Sequence, residues 1–384
     1  MRMSVEQAMQ GELSGQRIVI KIGSSTITDS VSSIDEAWLA SFAAQVAHLI
    51  SAGAEVVVVS SGAIACGLGR LGMDTRPTDM PTLQAAASVG EAALVSAYEE
   101  AFAPFSLTSS IVLLTRRDTA DREAYLHARD ALARLLGLGI VPIVNENDTV
   151  SVEQIRFGDN DTLAALVACL VDATLLIILS DIDGLYDADP CRVPDARLVP
   201  RVERITEDIA SAAGGPGSCA GSGGMVTKIR AARVMMAAGI PMAIVHGKRA
   251  DAVTDTAFGA CPGTLFKSGT RAHEVTPRKL WVALGDAARG ALIVDEGAKR
   301  ALLTGGASLL PVGVKSVEGS FAAGEVVDVK DAAGLVIGRG VASAASDAAV
   351  LACGKTTEEL ARNSLLSSMA ARPLVHRDDL VMFE

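Results

Sequence analysis

Asn145–Leu170 reads NENDTVSVEQIRFGDNDTLAALVACL. Five carboxylates (Glu146, Asp148, Glu153, Asp159, Asp161) and three asparagines (Asn145, Asn147, Asn160) crowd its first seventeen residues. The apolar segment Leu138–Val144 leads into this cluster, and the run Leu163–Val171 leads away from it. An apolar strand that empties into a polar loop and then a helix describes the carboxyl end of a strand in an α/β sheet. In open α/β sheets, ligands bind outside those strand ends. Gly158-Asp159-Asn160-Asp161-Thr162 also reads as a helix start, with Asp159 to Asp161 near the N-cap. Capping and turn chemistry can account for any one of these acids. They do not account for so many acids and amides together, so the stretch reads as a ligand site.

The strands around it follow the same layout. Arg17–Ile22 (RIVIKI) is a β-branched strand running into Gly23-Ser24-Ser25-Thr26, a junction whose backbone N–H groups suit phosphate oxygens. Lys21 inside a strand buried on both faces is costly; it is expected to leave the strand end toward whatever the glycine loop holds. A helix is predicted over Ile34–Gly53, then a strand from Glu55 that ends in Ser60-Ser61-Gly62-Ala63, where small residues permit close backbone approach. Helical pattern over Thr82–Phe102 precedes a strand at Ser110–Leu114 and a helix ending at Leu136. Thr174–Leu179 is a further strand, ending in Ser180-Asp181. Residues 211 to 230 (SAAGGPGSCAGSGGMVTKIR) form a Gly-rich loop feeding a helix over Lys228–Gly239, an N-terminus that attracts anions with Lys228 adding charge. Pro241–Val245 is one more strand. Strands alternating with helices in this rhythm imply a largely parallel sheet covered on both faces. Two look-alikes are set aside. Gly67-x-Gly69-x-x-Gly72 matches a dinucleotide fingerprint but does not sit between strand and helix as that fold requires. Cys353-Gly354-Lys355-Thr356 resembles the end of a Walker A loop, yet Ala349 stands where its first glycine belongs.

From about Ser268–Lys279 the pattern changes to short alternating segments, such as Ala291–Val294, Glu325–Val329 and Leu335–Ile337, which read as a small β-rich domain. Residues 1–16 read as a flexible N-terminus and 356–384 as a partly helical C-terminal tail. The 384 residues carry 49% hydrophobic, 21% charged and 3% aromatic side chains, so the core is built from small and branched aliphatics. The net charge of −11 argues against broad attraction to nucleic acid or anionic membrane. The six cysteines have no C-x-x-C spacing and several lie in apolar runs, which points to reduced thiols and a cytoplasmic setting. The five histidines form no H-x-x-H or H-E-x-x-H pattern, which argues against zinc. The N-terminus lacks an apolar core of a signal peptide, and the longest apolar stretch, Leu163–Leu179, contains Asp172, so no transmembrane helix is expected.

Lys21-Ile-Gly23-Ser24-Ser25, Ser60-Ser61-Gly62-Ala63, Asn145-Glu-Asn-Asp148, Gly158-Asp-Asn160-Asp161, Ser180-Asp181 and Ser222-Gly-Gly-Met-Val-Thr-Lys228 together resemble the glutamate 5-kinase family, in its order and at its spacing, over residues 17–270. Residues 280–355 resemble the PUA domain appended to many of these enzymes, through Val294-Asp-Glu-Gly-Ala298, Ser308-Leu-Leu-Pro-Val-Gly313 and Phe321-x-x-Gly-Glu325. Ser180 and Ser222 stand where threonine is common in the family, and each keeps the hydroxyl. The resemblance implies the amino acid kinase fold, an α/β/α sandwich around a mainly parallel sheet, followed by a small β-rich PUA-like barrel. It implies transfer of the ATP γ-phosphoryl group to the side-chain carboxylate of L-glutamate, the step that opens proline biosynthesis.

On that resemblance Lys21 and Lys228 face the transferring phosphoryl group, assisted by the Gly23 and Ser24 backbone, and Asp161 holds the two lysines by charge-assisted hydrogen bonds. Ser180, Asp181 and Ser222, Gly223, Gly224, Met225, Val226, Thr227 and Lys228 hold ATP. Asp148, alone or with Asp159, takes the substrate ammonium group, while Ser61 and Asn160 hydrogen-bond its polar groups. Mg²⁺ is expected on phosphate oxygens and water, with few protein ligands. The resemblance also implies proline feedback inhibition, a homo-dimer or homo-tetramer, and a downstream glutamyl-phosphate reductase. Rival readings are another acceptor (N-acetylglutamate, aspartate or UMP) or an RNA-binding PUA protein with a nucleotide-sensing domain. An N-acetylated substrate has no ammonium group to match the acids, and UMP calls for more arginine. From Arg278 onward, 12 Lys and Arg stand against 13 Asp and Glu, which is not a basic footprint for RNA.

Overall fold

Arg17–Ile22 (β1) lies at the middle of the first of two compact units, one built mainly from residues up to Ser268 and the other mainly from Gly269 onward. The computed structural model describes residues 12–28, 33–115, 118, 121–150, 160–190, 193–206, 208–209, 224–267, 282, 288–363, 366–370 and 372–383. On one side of β1 come Glu55–Val59 (β2), Val141–Glu146 (β4) and Ser109–Leu114 (β3). On the other come Leu175–Ser180 (β5), Met242–His246 (β7), Thr264–Phe266 (β8) and Arg201–Val202 (β6). The ladders are parallel except between β7 and β8, so the mainly parallel α/β expectation holds.

Side chains of β1 alternate between the two faces of the sheet. Ile18, Ile20 and Ile22 join a core with Leu39, Phe42 and Val46 of Glu36–Ser51 (α2) and Leu94, Tyr98 and Phe102 of Met80–Phe102 (α4). Val19 and Lys21 take the opposite face, the face of Asn160–Leu170 (α6), in which Asp161 through Ala168 are all buried. A helix apolar nearly all round is a buried helix. Each fully buried Ile contributes roughly 1.5–3 kcal/mol, so these alternations fix which way Lys21 points. Aspartates start the outer helices: Asp35 accepts from Trp38 N (2.9 Å) and Asp79 from Thr82 N (3.0 Å), each an N-cap.

The structure departs from the sequence reading in several places. Leu13, expected in a flexible N-terminus, is buried and its N–H donates to Ala52 O. The last long helix of this unit starts at Met225 rather than Lys228 (Met225–Ala237, α7), which puts Lys228 in its first turn. Gly67, part of the dinucleotide look-alike, has a packing role. In Ala63–Arg70 (α3), a Cβ on Gly67 would lie 1.8 Å from Ala86 O, and one on Gly90 of α4 would lie 1.7 Å from Ala63 O. The two helices cross where neither has a side chain.

Gly90→Ala is therefore expected to cost about 1–3 kcal/mol or more, since the obstacle is backbone and must move. Gly137→Ala, in the last turn of Arg122–Gly137 (α5) with open space around it, is expected to be neutral or stabilising by a few tenths of a kcal/mol. Urea midpoints of the two variants measure this; equal shifts would sink the crossing argument.

The second unit holds a five-stranded sheet in the order Val314–Gly319 (β10), Gly290–Val294 (β9), Val326–Lys330 (β11), Val336–Ala342 (β12), Val375–Met382 (β13). An isolated antiparallel bridge between Leu309 and Val375 joins the segment leading into β10 to the start of β13, so among the described residues the two edges of the sheet are linked by a single bridge and not a ladder. Within 356–384, Thr357–Arg362 is helical as expected, but Val375–Met382 corrects the reading of this segment as a tail, because it pairs with β12 as an integral strand. Its charged run His376–Asp379 hid it, although charges on an edge strand are a usual guard against edge pairing. The Walker-like Gly354-Lys355-Thr356 is a helix start: Gly354 has φ +69°, and Thr356 and Glu359 form a capping box. Among the described residues no helix is long and apolar enough to cross a membrane.

Candidate active site

Parallel strands deliver their carboxyl ends to one edge of the sheet. At that edge stand Lys21 near the end of β1 and Gly23 just after it, Ser60 and Ser61 after β2, Asn145 at the end of β4, and Ser180 and Asp181 at the end of β5. β2 pairs with β1 on one side and β5 on the other, so the connections leave β1 in opposite directions and the crevice above it is a topological switch point, where ligands of open α/β sheets collect.

Lys21 is no solvated edge lysine. Its Nζ lies 2.7 Å from Asp161 Oδ1, and Lys228 Nζ lies 3.2 Å from Asp161 Oδ2. All three are buried, at 7%, 5% and 1% exposure for Lys21, Lys228 and Asp161. Lys21 arrives from the sheet, Asp161 from the first turn of α6 and Lys228 from the first turn of α7, so three separate elements meet at one carboxylate. Thr227 Oγ1 is 2.8 Å from Asp161 Oδ2 and 2.8 Å from Gly224 O, and its one proton serves either acceptor. Burial pushes the Asp161 carboxyl up, but Lys21 and Lys228 outweigh it and hold the group down at about 2. The carboxylate stays ionised at any physiological pH, keeping two ammonium groups 2.7 and 3.2 Å from its oxygens.

Gly23 opens beside them. A Cβ there would lie 3.7 Å from Lys21 Nζ, so glycine leaves that approach clear. Ser24–Ile27 (α1) begins at Gly23, and a helix start leaves its first N–H groups without an intrahelical acceptor. Ser180 is buried, its Oγ 3.1 Å from Asp181 Oδ1, while Asp181 is exposed. Met225 is buried and Val226 exposed. Asp159, Ser222 and Gly223 lie outside the described residues.

A second cluster adjoins the first through Asn160. Its amide nitrogen is 2.7 Å from Ser60 O, 2.7 Å from Ser61 Oγ and 3.3 Å from Asn145 Oδ1. Asn145 in turn donates to Glu91 Oε2 (2.9 Å), and Ser60 Oγ is 2.9 Å from the buried Tyr98 hydroxyl. Asp148 follows β4, and burial pushes its carboxyl up to about 6 although Arg76 opposes this. Burial likewise pushes Glu91 up to about 7; the Asn145 hydrogen bond opposes the shift and Asp148 adds to it. Ser61, Asp148 and Asn160, expected from sequence, are thus joined by Asn145, Tyr98 and Glu91, which were not assigned there. Glu91 did leave a sequence signal: it is the only charged residue between Met80 and Tyr98, a lone acid in that otherwise uncharged part of α4.

Chemically, the site pairs two buried cations at a helix start and glycine turn with a pocket of carboxylates and amides. The first half suits phosphate oxygens; the second suits a small ligand bearing an ammonium group. Among the described residues, no cluster of three or more His, Cys, Asp or Glu side chains has the arrangement of a metal site.

Residues 16–246 match a family model described as the amino acid kinase family, and residues 290–363 match the PUA domain. The chain is 47% identical over 367 residues to a glutamate 5-kinase of Ralstonia pickettii (strain 12J), covering 96% of this chain and 97% of that one. It is 46% identical to the glutamate 5-kinase of Ralstonia nicotianae (strain ATCC BAA-1114 / GMI1000), with 96% and 97% covered. It is 46% identical to that of Variovorax paradoxus (strain S110), with 96% of each chain covered.

Proposed function

The chain belongs to the amino acid kinase family, and from that premise we propose that it transfers the γ-phosphoryl group of ATP to the side-chain carboxylate of L-glutamate. The product is glutamyl 5-phosphate, the first intermediate of proline biosynthesis. The observation that carries the reading is the buried Lys21–Asp161–Lys228 cluster beside the acid and amide pocket of Asp148, Asn160 and Ser61. Near-full-length likeness to glutamate 5-kinases supports the same acceptor.

Phosphoryl transfer between two anions asks for positioning and for neutralisation of charge spread over the moving group. Lys21 and Lys228 supply that charge, Asp161 sets their spacing, and the Gly23 and Ser24 backbone adds donors. Ser180, Asp181 and the segment ending at Lys228 hold the nucleotide. Ser61 and Asn160 bind polar groups of the amino acid, and Asp148, alone or with Asp159, takes its ammonium group. Mg²⁺ would ride on phosphate oxygens and water and offset phosphate charge, since both Asp161 oxygens already face ammonium groups.

Further parts of the proposal follow from the product and substrate. An acyl phosphate is hydrolytically labile, so a reductase consuming it is the expected partner. Proline shares the α-amino acid head of glutamate and is expected to inhibit by entering the same pocket. The proposal includes a homo-oligomer acting in the cytoplasm, and it assigns no RNA to the PUA domain.

Hydroxylamine trapping tests the reaction. With Mg-ATP, L-glutamate is expected to give hydroxamate, whereas N-acetylglutamate and aspartate give at most a few per cent of that rate. Hydroxamate from another carboxylate at a comparable rate, or from none, overturns the assignment.

A further inference from the structure

Glu91 has no part in the assignment above, yet its surroundings are those of a ligand group. Its Oε2 accepts from Asn145 Nδ2 at 2.9 Å. Asn145 is fixed in that orientation, because its Oδ1 accepts from the Glu146 N–H at 2.9 Å and lies 3.3 Å from Asn160 Nδ2. The other carboxyl oxygen, Glu91 Oε1, is buried with no hydrogen-bond partner. Buried acceptors are nearly always satisfied, so an orphaned one next to a binding pocket calls for a donor that arrives from outside. The glycine crossing at Gly67 and Gly90 anchors Glu91, the next residue along α4, at this position.

We propose that Glu91 is a second carboxylate for the α-ammonium group of the substrate, acting opposite Asp148, and that binding of the amino acid expels a proton from it. The proposal rests on the glutamate-acceptor reading above. An ammonium group has three N–H donors: one meets the orphaned Glu91 oxygen and the others meet Asp148. Among the described residues, the charged and titratable groups facing this pair come from four elements. Cys66, with Arg70 beside it, lies on α3, Tyr98 on α4, Arg76 in the loop between those helices, and Asp148 after β4. Arg76 acts on Asp148 and Arg70 on Cys66, and the carboxyl group nearest in effect to Glu91 is another acid.

In the free protein, burial and the Asp148 charge hold the Glu91 carboxyl up at about 7. An incoming ammonium group reverses that bias, both carboxyls ionise, and the proton leaves to solvent as the cation enters. Below pH 7 the free site holds a proton that must be released against the solution, so affinity for glutamate falls as pH falls.

KM for L-glutamate, read by hydroxamate formation between pH 6 and 8.5, tests this. In the wild type it is expected to rise about tenfold from pH 8 to pH 6, with its inflection near 7 and with KM for ATP moving less than about twofold. Glu91→Gln is expected to raise KM for glutamate about tenfold at pH 8 and to remove the inflection near 7, leaving any weaker one near 6 that belongs to Asp148. A second measurement does not depend on a variant. Calorimetric titration of the wild type with L-glutamate at pH 7, in two buffers of different ionisation heat, is expected to show about half a proton released per amino acid bound. A wild-type profile flat across pH 7, an inflection that survives in Glu91→Gln, or no proton release overturns the proposal. If wild-type enzyme still yields glutamyl hydroxamate in that case, the acceptor reading stands and only the role of Glu91 fails. Absence of glutamyl hydroxamate at every pH removes both.

Discussion

Replacing Lys228 with alanine is expected to lower kcat for glutamyl phosphate formation by about a thousandfold, the upper end of what one preorganised oxyanion donor contributes. Lys228 Nζ is buried 3.2 Å from Asp161 in the first turn of α7, so its charge is aimed before any nucleotide arrives. In the proposed reaction the moving phosphoryl group spreads its negative charge over its equatorial oxygens. A cation held in a buried site interacts with that charge more strongly than one in water, and it needs no rearrangement at the moment of transfer. KM for ATP should rise as well, because the same lysine meets the phosphate in the ground state, whereas KM for L-glutamate should change less than about threefold. Lys228→Arg should not rescue the rate, since a planar guanidinium is larger than an ammonium and differs in donor geometry. Steady-state hydroxamate kinetics separate these parameters. A Lys228→Ala rate within tenfold of the wild type would sink the phosphoryl-site assignment.

Much of this arrangement could be read from residue types alone, and the reasons are local. Apolar β-branched runs that end in Gly, Ser, Asn or Asp mark strands whose carboxyl ends carry chemistry; Lys21, Ser61 and Asn145 lie at or just after such ends, and Asn160 and Asp161 open the helix that follows β4. A lysine inside a strand pointed to the ligand end of β1, and Asp161, implied as its partner by the family resemblance, lies 2.7 Å from it. What could not be read depends on contacts distant in sequence. Glu91 reaches the pocket only because Gly67 and Gly90 let two helices touch backbone to backbone, and no local pattern announces a crossing. Tyr98 meets Ser60 by the same route. β6 is two residues long and β8 three, too short for any periodicity, and β8 turns antiparallel to β7. β13 presents a solvated face at the edge of its sheet, so its alternation is broken by His376, Arg377, Asp378 and Asp379.

Asp161→Asn should damage both stability and activity, and its stability defect should respond to phosphate. Asparagine keeps the shape and can still accept a hydrogen bond from one lysine. It removes the charge that keeps two buried ammonium groups close to one point, and breaking a buried ion pair from one side costs about 3–5 kcal/mol. For a domain of this size that corresponds to a fall of roughly 6–20 °C in the unfolding midpoint of the first unit. The pH dependence of wild-type stability follows from the same group. The carboxyl of folded Asp161 is held at about 2, below its ordinary 3.8, so its contribution is fully present above the unfolded value. It is lost as pH falls through the folded one, in a window from about 4 down to about 2. Asp161→Asn should lack that acid-labile part. A merely misfolded variant would also be unstable, so the ligand response decides. If the lysines are phosphate-facing, Mg-ATP supplies the negative charge that the substituted amide lacks, so it should bind the variant more tightly and raise its midpoint more than that of the wild type at equal Mg-ATP concentration. The variant's kcat should nonetheless stay at least a hundredfold low, because lysines that repel each other are no longer held at the spacing the transition state needs. A variant that unfolds like the wild type, or one that gains no more from Mg-ATP than the wild type does, would show that Asp161 does not organise the two lysines.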